Sequence, residues 1–125
     1  MFNIDKVRGI LARYEHIHPE DSYSLNQYWK DLSNALLEDV NGYISFLMNG
    51  CTSQELVLLS EVNDELINAT QNELLIHALK TAQARLPEVT RKYQLDADLD
   101  YTISRHIRDK GKAKQLLAWK PSELK

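Results

Sequence analysis

The chain has 125 residues, 43% hydrophobic and 26% charged, with a formal net charge of −3. A length of this order buries roughly two-thirds of its unfolded surface within one domain, which excludes any need for a staple, and the single Cys51 excludes an internal disulfide. No run approaches the ~18 apolar residues of a membrane-spanning helix. Met1-Phe2-Asn3-Ile4-Asp5-Lys6 lacks the features of a secretory signal, so a cytoplasmic protein without membrane association is expected.

Ile4, Val7, Leu11 and Tyr14 recur at helical spacing and predict a first helix over about residues 3–15. Pro19 restrains His18 from helical geometry, so residues 16–21 read as a loop. A second helix follows Asp21 or Ser22, with Leu25, Trp29, Leu32, Leu36 and Leu37 as its buried stripe and Tyr23 and Tyr28 as candidate exposed aromatics. Val40, Tyr43, Ile44 and Leu47 either continue it or form a third helix, with a break at Asn41-Gly42 near residue 40 and an end at Asn49-Gly50.

Thr52-Ser53-Gln54-Glu55 is a capping box, in which the threonine and glutamate side chains each satisfy the other's backbone N–H. It opens a helix over about 53–69, with Leu56, Leu59, Val62, Leu66 and Ile67 inward. Thr70-Gln71-Asn72-Glu73 reads as a second box opening a helix that runs to Leu86 and stops at Pro87. Pro87 suits the first turn of a short helix through Tyr93. Leu99, Ile103 and Ile107 mark a further helix before Gly111, and an amphipathic piece spans about 114–120. With no period-2 alternation, the expected fold is all-α: a single domain, residues 1–125, built as a compact antiparallel bundle of five to seven helices.

Charge is divided along this chain. Residues 15–79 hold eleven acidic side chains and one basic, Lys30; residues 80–125 hold eleven basic and six acidic. Such a division governs association and not fold. Within the acidic half, Glu61, Asp64 and Glu65 lie three and four apart on the helix expected over 53–69, which carries no lysine or arginine. Like charges at those spacings destabilise a helix by about 0.2–0.5 kcal/mol each. A shared exposed face that attracts a basic partner is the functional reading, with Glu38 and Asp39 as possible extensions of the patch; a solvated face is the plain one.

Other constellations carry less. Asp96-x-Asp98-x-Asp100 begins like a calcium loop, but Tyr101 and Ile107 stand where that loop needs glycine and glutamate. Capping by Asp98 or Asp100 is the expectation there. His16, His18, His77 and His106 show no metal-ligand spacing, so no metal or cofactor is expected. Cys51 lies just before a helix start, where a thiol is sometimes activated, yet no partner motif accompanies it. Carboxylates on an exposed face do not make an acid–base pair, and the chain is not expected to be an enzyme or to take a small-molecule substrate.

The run Glu55-Leu56-Val57-Leu58-Leu59-Ser60-Glu61-Val62, then Asp64-Glu65-Leu66-Ile67, Thr70-Gln71-x-Glu73-Leu74-Leu75 and Leu86-Pro87-Glu88 resembles small all-helical bacterial immunity proteins. Those accompany the toxins of contact-dependent growth inhibition and related polymorphic toxin systems. The resemblance covers residues 52 to about 103. It implies a cytoplasmic protein that binds and neutralises a cognate toxin, many of which are nucleases. An acidic surface can then cover a cationic active site or substrate groove. The alternative expectation is a small helical regulator binding nucleic acid through the basic segment from about residue 105, where Arg105, Arg108, Lys110, Lys112, Lys114 and Lys120 surround Trp119. The acidic remainder argues against nucleic acid, and these cations are equally suited to offset the acidic middle.

Overall fold

Six polar side chains decide where helices begin. Asn3, Asp21, Asp39, Thr52, Asn72 and Asp109 each accept a hydrogen bond from the backbone N–H three residues ahead. A cap of this kind stabilises a helix start by about 0.5–2 kcal/mol. The computed structural model describes residues 2–121. Among them are nine α-helices: α1 (Ile4–Ala12), α2 (Ser22–Leu37), α3 (Val40–Asn49), α4 (Ser53–Leu59), α5 (Asn63–Thr70), α6 (Glu73–Arg85), α7 (Pro87–Tyr93), α8 (Leu95–His106) and α9 (Lys110–Ala118). Turns of 3₁₀ helix lie at Arg13–His16 and Ser60–Val62.

The fold is all-α, as expected, but with more helices than five to seven. The main reason is local. Ser60 Oγ donates 2.6 Å to Val57 O, and the chain tightens into the 3₁₀ turn there. Residues 53–69 are therefore two helices joined by a bend. The break before α3 has a different cause from the expected one: Asp39 caps Gly42, while Asn41 and Gly42 lie inside the helix.

Three further expectations are corrected. Thr70 does not open α6. It closes α5, donating 2.8 Å to Leu66 O, and Asn72 is the cap. Gln71 between them adopts a left-handed conformation, φ 50°. Neither Asp98 nor Asp100 caps α8, because Gln94, also left-handed at φ 55°, occupies that position; Asp98 lies in the first turn, where it favours the helix dipole. Tyr28, not Trp29, is the fully buried aromatic of α2. The buried stripe there is Tyr28, Leu32, Ala35 and Leu36, which turns Trp29 to the flank of the helix.

One buried cluster runs from Val7 to Leu116. Its most extensive helix pair is α3 with α6, which supply Tyr43, Phe46 and Leu47 on one side and Leu75, Ile76, Leu79 and Ala82 on the other. Helix α6 also terminates two neighbours. Arg85 donates to Leu47 O and Cys51 O beyond α3, and Lys80 Nζ reaches Leu116 O, Leu117 O and Trp119 O at the end of α9. Gln71 bolts α5 to the end of α8, donating 2.8 Å to His106 O and accepting from Arg108 N. With α2 packed against α1, α5 and the 60–62 turn, and α4 against α7, two of the concave surfaces left on the molecule border Glu61.

Candidate functional site

The bend at Ser60–Val62 sets the position of Glu61. Its carboxylate accepts a 2.9 Å hydrogen bond from the Trp29 indole N–H of α2. It also stands close enough to Tyr14 that its charge, with burial, raises that phenol above the ordinary value. Glu61 is exposed yet held in place at a corner of the molecule.

On one side of that corner is a cleft of about 410 Å³ between α2 and α5. Glu65, one turn after Glu61, shares its wall, and no ion pair holds it among the described residues. Trp29, Lys30 and Ser33 form the opposite wall. On the other side is a groove of about 970 Å³ between α1, α4 and α7, lined by Leu11, Tyr14, Val57, Leu58, Val89 and Tyr93 together with the acids Glu15 and Glu61 and the cation Lys92. Arg8 and Glu55 cross the groove as a 2.7 Å ion pair. Burial works to raise the Glu55 carboxyl, but the bonds from Arg8 and from Thr52 outweigh it and hold the group below the usual carboxylate range.

The five candidate acids separate. Glu61 and Glu65 stay together on the cleft. Asp64, expected on the same exposed face, turns to α8 instead, accepting a hydrogen bond from Thr102 Oγ1 and lying 3.8 Å from His106 Nε2. Glu38 pairs with Lys6 of α1 at 2.8 Å. Asp39 is spent on the cap of α3. Neither Glu38 nor Asp39 lines the cleft.

Protein-family models, curated proteins and solved structures yield no match to this chain.

The basic C-terminal segment is largely occupied within the fold. Arg108 donates to Asn68 O, Lys110 to Ser104 O and Ile107 O, and Lys112 pairs with Glu73 at 3.3 Å. Arg105 lies over the Tyr101 ring. Most of these partners are helix-end carbonyls and not the acidic middle. Residues 122–125 of that segment lie outside the described residues. Cys51 is buried, and desolvation pushes its thiol up to about 12, the reverse of activation. No group of three or more metal-ligating side chains occurs among the described residues. Nor is any of their helices long and apolar enough to cross a membrane.

Two participants were missed from sequence: Trp29 as the anchor of Glu61, and Ser33. A signal for both exists. Asn26, Trp29, Lys30, Ser33, Asn34 and Leu37 follow helical spacing along a second face of α2, and all six line the cleft.

Proposed function

We propose that this protein is an immunity-type inhibitor, which docks a basic protein toxin on the face where the cleft and the groove meet. The observation that carries the reading is Glu61, clamped by Trp29 at that corner, with Glu65 beside it and no cation paired to it among the described residues. A carboxylate already fixed in place loses little freedom when a cation arrives, which favours binding. The apolar lining of the groove supplies burial, and Glu61 and Glu65 supply steering. Attraction of a cationic surface to such a face raises the association rate and excludes partners of like charge.

A toxin that cuts nucleic acid needs cations for phosphate, so covering them with this face blocks its substrate. No chemical step is required of the inhibitor. The C-terminal segment is less suited to nucleic acid, since Arg108, Lys110 and Lys112 already have partners within the fold.

The test is co-expression with the basic toxin domain encoded beside this gene. Growth is expected to be rescued by the chain and not by its Glu61→Lys/Glu65→Lys variant. Absence of rescue by the unaltered chain, or of any neighbouring toxin, removes the proposal.

A further inference from the structure

We propose that the cleft between α2 and α5 is a site for a single arginine side chain. The inference deepens the docking reading above by naming the chemical group the partner places there.

Three features select that group. Glu61 and Glu65 give the cleft two carboxylates against one cation, Lys30. A guanidinium is a planar fork that can bond carboxylates in pairs, whereas an ammonium is a compact, strongly hydrated point charge. Trp29 adds an indole on the opposite wall, on which a flat cation stacks well.

The third feature is independent of charge. Ser33 lines the same cleft and is only 4% exposed, yet its hydroxyl has no hydrogen-bond partner among the described residues. A serine in a helix ordinarily donates to the carbonyl one turn back, as Thr70 and Thr81 do here. An unsatisfied buried hydroxyl is unfavourable. A guanidinium N–H seated in the cleft would give that oxygen a donor. The volume of about 410 Å³ falls at the low end for ligand sites, suiting one side chain and not a folded element.

The chain contains two tryptophans, Trp29 and Trp119, so its two indole N–H signals in a proton–nitrogen correlation spectrum report inside and outside the cleft. The probes are N-acetyl-arginine amide and N-acetyl-lysine amide. The arginine amide is expected to move the Trp29 signal saturably and to leave Trp119 in place. The lysine amide should bind about tenfold more weakly, the worth of one charge-assisted bond. Glu65→Gln should weaken the arginine amide about as much, Ser33→Ala should weaken it several-fold, and Lys30→Gln should tighten it. No saturable movement of Trp29, equal response to both amides, or full binding by Glu65→Gln overturns the inference. The two proposals fail separately. Should the amide fail while Glu61→Lys/Glu65→Lys still abolishes rescue, only the arginine site falls. Should the amide bind while no toxin is neutralised, only the docking reading falls.

Discussion

Removing the ammonium of Lys80 should loosen the end of the chain by a definite amount. Lys80 Nζ contacts three carbonyl oxygens at the C-terminal end of α9: Leu116 at 2.6 Å and Leu117 at 3.2 Å in its last turn, and Trp119 at 2.9 Å just beyond. Hydrogen bonds to a charged donor contribute about 1.5–3 kcal/mol, and a cation at a helix C-terminus up to about 2 kcal/mol. These contributions overlap, because the same carbonyls make both. Burial opposes them, holding the Lys80 ammonium below its ordinary value. The net expectation for Lys80→Met is a loss of about 2 kcal/mol, since methionine keeps the stem's packing but leaves the carbonyls unpaired. For a domain of this size that lowers Tm by roughly 8 °C. Circular dichroism at the helical band measures it. The indole N–H signal of Trp119, whose ring stacks on His77 at 4.0 Å, reports whether the loss is local. A Tm within about 2 °C of the parent, well under 1 kcal/mol, would refute the claim that Lys80 holds α9.

Other expectations follow from single contacts. Gly42→Ala places a methyl group against Phe2 Cβ and 2.8 Å from Asp39 Oδ2; despite alanine's better helix propensity, the variant should lose about 1–2 kcal/mol, the scale of overpacking or a disturbed cap, measured by urea unfolding. Cys51, with its thiol pushed up to about 12, should resist iodoacetamide in the folded protein and react once unfolded; rapid labelling of the native state would show the thiol is accessible. Asp31 is held below its ordinary value by bonds from Arg13 at 2.9 Å and Gln27 at 3.0 Å. A depressed carboxylate gives stability that is present above its unfolded pKa of about 3.9 and is lost as pH falls through the lower folded value. Asp31→Asn should therefore be less stable than the parent near neutrality, with the gap closing in acid; a gap that persists there would contradict the assignment.

Helix starts and apolar periodicity carried most of the fold in legible form. Thr52 and Glu55 cap as their spacing predicts, with bonds of 3.0 and 3.2 Å. The shift from Thr70 to Asn72 was not legible, because Thr70 had a competing partner one turn back and Gln71 a left-handed conformation supported by His106 and Arg108, both over thirty residues away in sequence. The candidate site divided for a similar reason. Helical spacing placed Glu61, Asp64 and Glu65 on one face of an unbroken helix, but the 3₁₀ turn at Ser60–Val62 and the packing of α5 on α8 sent Asp64 elsewhere. Tyr28 and Trp29 are adjacent and both aromatic, so composition could not rank them; burial of α2 on several neighbours at once decided it.

Affinity for any basic toxin domain found encoded beside this gene tests the central claim most directly, measured by calorimetry for the parent chain and for Glu61→Lys/Glu65→Lys. Both side chains are solvent-exposed, so helical content should be retained. The docking face at Glu61 and Glu65 predicts a loss of roughly a hundredfold or more, as for reversing charges that pair across an interface. Unchanged affinity in a folded variant would contradict it and place the interface on another face.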